Sequence, residues 1–243
     1  MCLFDIGSGH QVTLSIKDEP EPAVEKNWTP FISSTGALHF VYKFDRAQTL
    51  QCSIQTGECN RLQEAAHQLS GGQLRGGTPL LQHDNSDFFF GFARTTTTCS
   101  KFPNRFYRPH LVVLHFDANQ IPIAHVSSPY DFENVFFRTT EVSRTFDSDA
   151  SLLQYSRVIT AGGIVEFARK ENLHIVAVSV NDNAGFLVLL QGLRALVSAR
   201  SQSYLELHSR AKGQSDVISC AESAAALMCD TLTADTLKLS TTA

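Results

Sequence analysis

The chain has 243 residues, of which 43% are hydrophobic and 18% charged, and its formal net charge is -4. These values fit an ordinary globular protein of one large domain or two small ones, and the negative balance gives no electrostatic reason to expect nucleic acid or an anionic membrane as partner. No apolar run approaches the ~20 residues that span a bilayer, and "MCLFDIGSGHQ" lacks the basic and apolar regions of a signal peptide, so the cytoplasm is the default compartment.

In chain order, the first 190 residues read as strands. "QVTLSI" alternates, with Val12, Leu14 and Ile16 on one face. A polar, proline-broken stretch, "KDEPEP", then leads into "VEKNWTPF", where Glu25, Lys26, Asn27 and the only tryptophan, Trp28, stand side by side. Asn27-Trp28-Thr29 also fits a glycosylation sequon, but Pro30 follows it and it carries little weight. "ALHFVYKF" and "TLQCSIQTGEC" follow, the second with a hairpin tip at Thr-Gly-Glu. Cys52 and Cys59 bracket that tip, so a disulfide is conceivable. With no secretion signal and no C-x-x-C pair among the six cysteines, free and mostly buried thiols are favoured.

"SDFFFGFAR" reads as a strongly apolar strand, "HLVVLHFDANQIPIAHVSSP" as a hairpin, and residues 157–190 as three strands. About nine strands at short intervals, with little helical periodicity between them, predict an antiparallel all-β sandwich, barrel or propeller. From Gly192 the pattern changes. Leu193, Leu196, Val197, Tyr204, Leu205 and His208 approximate helical spacing, and "CAESAAALMCDTL" suits a second helix. The expected division is therefore a β domain over 1–190 and a helical or irregular tail over 191–243.

Several catalytic signatures are missing: Gly7-Ser8-Gly9 is no nucleophile elbow, and "GGQLRGG" lacks the Lys-Ser/Thr of a phosphate loop. His110 and His115 are five apart on a predicted strand and fall on opposite faces, so they cannot chelate one metal as neighbours. No metal or cofactor is expected. Three stretches remain. In "LRGGTPLL" two glycines allow a sharp turn or a close approach, and Arg75 beside them can fork onto a carboxylate, a phosphate or vicinal hydroxyls. "KFPNRFYRPH" interleaves Lys101, Arg105, Arg108 and His110 with aromatics, a mixture that suits a sugar site or, less well at this net charge, a single nucleic-acid strand. "VSVNDNAG" ends a buried-looking strand in Asn181-Asp182-Asn183, which suits a hairpin turn but also sets an acid at the mouth of a β domain.

Taken in order, "EKNWTPF", "ALHFVYKFD", "LRGGTPLL", "DFFFGFAR", "RFYRPHLVVL", "IPIAHVSSPYDFE", "VITAGGIVEF" and "HIVAVSVNDN" resemble the later blades of five-bladed β-propeller glycoside hydrolases, β-mannoside phosphorylases and related glycosyltransferase-like proteins. The similarity runs over roughly residues 11–190. It implies an antiparallel, partial propeller whose funnel takes a glycan or sugar and, in the phosphorylases, phosphate. Carried onto this chain, it implies Glu25 and Asp182 as the catalytic acids. Lys26, Asn27, Trp28, Arg75, Thr78, Arg94, Arg108 and His110 become the substrate-binding residues. The chemistry implied is glycosyl transfer to water, phosphate or another sugar, and the alternative is a non-catalytic module that binds a glycan or a protein.

Two departures stand out. The upstream Asp-Pro-Arg-type motif that holds the proton-donating acid in the phosphorylases has no counterpart, since no Asp-Pro occurs in this chain. Arg94 also stands where relatives carry a histidine; arginine binds anions but does not shuttle protons at neutral pH.

Overall fold

The computed structural model describes residues 1–20, 27–44, 47–62, 74–84, 86–98, 105–117, 120–129, 159–180 and 184–199. They form an almost all-β arrangement with one short helix. β1 (Cys2–Phe4) and β2 (Gln11–Thr13) make a two-stranded ribbon. The first sheet contains β3 (Ser15–Ile16), β4 (Thr29–Ile32), β5 (Leu38–Lys43), β6 (Gln48–Cys52) and β7 (Glu58–Arg61), in the order β3-β7-β6-β5-β4. The second contains β8 (Arg75–Gly76), β9 (Leu81–Gln82), β10 (Phe88–Thr98), β11 (Arg105–Phe116) and β12 (Pro122–Pro129), with β8 and β9 both paired to β10. The third is the meander β13 (Ile159–Ala168), β14 (Leu173–Val180) and β15 (Ala184–Gln191), followed by helix α1 over residues 193–199.

The sheets are antiparallel except where β3 runs parallel to β7, and they do not close on one another. Fifteen strands occur among the described residues, where about nine were expected. The additional ones, such as β1, β3, β8 and β9, are two or three residues long and carry no alternation to read.

The second sheet is covered on both faces, and its sequence shows why. In β10, Phe89 and Ala93 pack with Phe31, Val41 and Phe44 of the first-sheet segment, whereas Phe90 and Phe92 pack with Ala161, Ile164, Val176 and Val178 of the third sheet. β11 alternates in the same way: Val112 and Leu114 face the first sheet, Leu111 and Val113 the third. A strand buried on both faces needs a continuous apolar run, which is what "FFFGF" and "LVVL" supply. The far face of the first sheet has its own small core of Leu14, Trp28, Phe40 and Leu50. The third sheet has Leu193 and Val197 of α1 in its inner core and leaves Val165, Phe167, Leu187 and Leu189 exposed.

Cys52 and Cys59 are not free thiols: they are register partners on β6 and β7 and are joined by a disulfide. Both lie in the small core with Trp28. The expectation failed because it weighed the missing secretion signal above the hairpin geometry that "CSIQTGEC" already implied. Cys2 is exposed, with its Sγ 3.7 Å from Oγ1 of Thr13, and Cys99, Cys220 and Cys229 lie outside the described residues, as does the tail beyond residue 199.

Two outcomes are expected. Phe90→Ala removes a ring of which no surface is exposed and costs about 3–5 kcal/mol in urea unfolding. Replacing Cys52 and Cys59 together by alanine costs about 2–3 kcal/mol, as expected for opening a short loop, and a non-reducing peptide map of the wild type recovers the two cysteines in one linked fragment.

Candidate functional site

The glycines of "RGG" explain where the three sheets meet. A Cβ on Gly76 would lie 2.4 Å from the carbonyl oxygen of Asn27 and 2.4 Å from Oγ1 of Thr29, both next to or within the first sheet. A Cβ on Gly77 would lie 2.5 Å from the carbonyl of Phe92 and 2.9 Å from that of Ala161 in the third sheet. The motif is therefore not a tight turn but a short strand that neighbouring backbones approach from both sides, which only glycine permits.

Arg94, just past the apolar run of β10, reaches across this junction. Its Nη1 donates to the carbonyl of Gly76 at 2.6 Å and its Nη2 to Oδ1 of Asn27 at 2.8 Å. The guanidinium carbon also lies 5.4 Å from the centroid of the Tyr107 ring. Asn27 itself sits at φ 66°, a left-handed conformation that asparagine tolerates better than most residues. Its side-chain oxygen is committed to Arg94, so the sequon asparagine already has a structural role.

Antiparallel pairing brings other cations to the same end of the sheet. Arg94 lies opposite Arg75 of β8 and Pro109 of β11, and Thr95 lies opposite Arg108. Arg75 is exposed, while Arg108 is half-buried and donates from Nη1 to the carbonyl of Tyr107 at 3.0 Å. Arg75 shares a face with Arg94, and Asn27 bonds to Arg94, so these three adjoin, whereas Arg108, opposite Thr95, falls on the other face of the sheet and is not brought to them. Planar, permanently charged guanidinium groups so arranged suit an anionic or polyhydroxylated ligand.

Three other sequence-predicted residues serve the interior. Thr78 is fully buried; its hydroxyl donates to the carbonyl of Pro79 at 2.9 Å and accepts from the amide of Phe92 at 2.8 Å, bracing the β8 segment against β10. His110 is fully buried, with Nε2 3.0 Å from Oγ1 of Thr95 and Nδ1 3.0 Å from the carbonyl of Ser127. Burial holds its pKa below the usual histidine value, against the smaller opposing effect of the Ser127 carbonyl. Trp28 is 7% exposed and makes edge contacts with Phe40 and Tyr42 in the first sheet's own core. Glu25, Lys26 and Asp182 lie outside the described residues.

A second polar cluster, at the opposite end of the second sheet, was not read from the sequence. Arg194 of α1 forks onto Glu166 of β13, Nε to Oε1 at 2.6 Å and Nη2 to Oε2 at 3.0 Å, and its Nη1 donates to Oδ1 of Asp84 at 2.5 Å. Arg169 reaches the same Asp84 oxygen at 3.0 Å. Ser198 lies 2.9 Å from Nε2 of His83. Asp84 approaches that same nitrogen, at 3.6 Å, rather than Nδ1, so the group lacks the relay geometry of a catalytic triad. Its members, from His83 to Ser198, span 115 positions in sequence, and no local motif announces it. It ties the third sheet and α1 to the β9–β10 connection.

The sequence profile of the beta-mannosyltransferases matches residues 9–226. Beta-mannosyltransferase 4 of Komagataella phaffii is 37% identical over 131 residues, covering 50% of this chain and 26% of that protein. Beta-mannosyltransferase 1 of the same species is 31% identical over 135 residues, covering 49% and 21%. Beta-mannosyltransferase 3 of Candida albicans is 31% identical over 137 residues, covering 50% and 24%. The aligned part of the chain therefore spans about a fifth to a quarter of these relatives. Among solved structures, an exo-1,5-alpha-L-arabinanase from a bovine ruminal metagenomic library aligns with a TM-score of 0.35 and 12% identity over 68% of this chain and 54% of its own.

The titrating groups set a direction for pH. Burial pushes the pKa values of His39, His83, His110 and His174 down. Below their ordinary range, near 6.5, the unfolded chain takes up protons that the folded chain refuses. The hydrogen bond from Arg194 lowers the pKa of Glu166, and that from Arg169 lowers the pKa of Asp84, so these carboxylates stabilise the fold above about pH 4 and lose that contribution as pH falls through their depressed values. Stability in urea melts is thus expected to be highest near neutrality, to fall below about pH 6.5 and to fall further below about pH 4. Glu166→Gln should flatten the most acidic part of the curve.

Proposed function

The chain belongs to the beta-mannosyltransferase family, and we propose that it acts on a mannose-containing glycan, using the junction of Asn27, Arg75 and Arg94 as part of its sugar site. The observation that carries this reading is the contact between Arg94 and Asn27, 67 residues apart, which joins "EKNW" to "RGG" at one end of the second sheet.

The reaction proposed is transfer of a mannosyl group from an activated donor to a sugar hydroxyl. The bond from the anomeric carbon to the leaving group breaks, the acceptor oxygen forms the new bond, and the acceptor's proton passes to a carboxylate. Glu25 and Asp182 are the carboxylates to examine for that role. A leaving group that departs with its electron pair would be met by guanidinium charge, with Arg75 the exposed member. Family membership favours a sugar hydroxyl as acceptor over water or phosphate, so hydrolysis and phosphorolysis lose ground.

The sheets fit, in this reading, a portion of a propeller. Its support is that successive sheets lie face to face around β8 and that the third leaves an apolar face uncovered. The division into a β unit over 1–190 and a tail over 191–243 belongs to the same proposal, with α1 as the part of the tail that packs onto the third sheet.

The test is a titration of mannosides and glucosides against wild type and the variants Lys26→Ala, Arg75→Ala and Asp182→Ala. Mannosides are expected to bind, and loss of the Arg75 fork should weaken them about tenfold. The reading fails if no sugar binds wild type or if all variants bind alike. Binding without transfer to an added mannoside acceptor would favour the non-catalytic alternative.

A further inference from the structure

We infer that Arg94 is a positioning residue, acting on the ligand through Asn27 and β8 rather than by touching it. This inference rests on the site reading above but can be tested apart from it. Both terminal guanidinium nitrogens are already engaged, Nη1 by the Gly76 carbonyl and Nη2 by the Asn27 side chain. Tyr107 lies within cation–π distance of the same group.

Its partners are the two elements whose relative placement defines the junction. Gly76 pairs with Ala93, and Arg75 pairs with Arg94 itself, so the backbone bearing the exposed Arg75 guanidinium is fixed by β10 and by the Nη1 bond. Asn27 is the less secure partner. It precedes β4, it sits at φ 66°, and its carbonyl is pressed so close to Gly76 that a Cβ there would lie at 2.4 Å. A left-handed residue in close contact with a neighbouring strand needs a bond that favours that conformation over its alternatives. The bond from Nη2 to Oδ1 supplies it and also joins the first sheet to the second. The fork matters as well as the charge: one planar group reaches two acceptors on different elements, and a lysine ammonium on a flexible stem has no such fixed geometry.

The same arrangement accounts for arginine at this position without asking it to move a proton. In this role Arg94 fixes Asn27 against the short strand that bears Arg75, and Arg75 is the residue that would meet the sugar.

Trp28 gives a local reporter, because it is the only tryptophan and is adjacent to Asn27. In the full chain, well below the unfolding temperature, Arg94→Lys and Asn27→Ala should each raise acrylamide quenching of Trp28 and shift its emission to the red. The double variant should do no more than the stronger single one. Arg75→Ala should leave Trp28 unchanged. Binding of methyl β-mannoside should weaken about tenfold in each of the two single variants, with losses that do not multiply in the double variant. Unchanged Trp28 quenching in Arg94→Lys overturns the inference. So does mannoside binding lost in Arg94→Lys but retained in Asn27→Ala, which would make Arg94 a direct ligand contact. If wild type binds no mannoside, the sugar-site reading fails, and the positioning role is decided by the Trp28 measurements alone.

Discussion

The arrangement depends on the second sheet being buried from both sides. Its long strands, β10 and β11, send alternate residues into two different cores, one shared with the first sheet and one with the third. Neither face can be polar, so both strands carry near-continuous apolar sequence in their middles. Polar and charged residues are displaced to the strand ends. There Arg94 and Arg108 collect at one end, and His83 and Asp84 precede β10 at the other. The position of each polar cluster is in this sense a consequence of the packing between them.

The two clusters do different work. At the Arg75 end, one guanidinium is exposed and that of Arg94 bridges β8 and the segment before β4. At the opposite end, Arg194, Arg169, Asp84 and Glu166 satisfy one another. A buried arginine forked onto a carboxylate is costly to disrupt, because the remaining charge is left without its partner. His174 adds to the pH sensitivity there: it is fully buried, lies edge-on to Phe90, and neither ring nitrogen has a hydrogen-bond partner among the described residues.

The disulfide belongs to the same logic on a smaller scale. Among the described residues, the core on the outer face of the first sheet, around Trp28, is small, with Met1 and Leu3 packed against it. A covalent link between β6 and β7 stiffens the hairpin that forms one wall of that core. Trp28 in turn anchors the chain directly after Asn27. A residue that looks like a sugar-stacking platform in sequence therefore acts as the foundation for its polar neighbour.

The sequence by itself determined the strands and much of their order. "FFFGF" reads as a strongly apolar strand and "LVVL" as the arm of a hairpin turning at "DANQ", where Gln120 has φ 61°; that both strands are buried on two faces came from the stacking of the sheets. The sequence also marked Asn27, Arg75, Arg94 and Arg108 as residues of interest. Tertiary structure alone decided what each of them touches. Thr78, His110 and Trp28 share motifs with those residues yet are buried, held by bonds and ring contacts to distant segments: Thr78 to Phe92, His110 to Thr95 and Ser127, Trp28 to Phe40 and Tyr42. The glycines of "RGG" allow a sharp turn or a close approach, and it is the first and third sheets pressing on them that decides for the close approach. The bridge from Glu166 to Arg194 joins residues that no local pattern connects. Periodicity reports how a chain meets its core, but contacts between distant segments depend on how the sheets stack, and that is settled only when all three are in place.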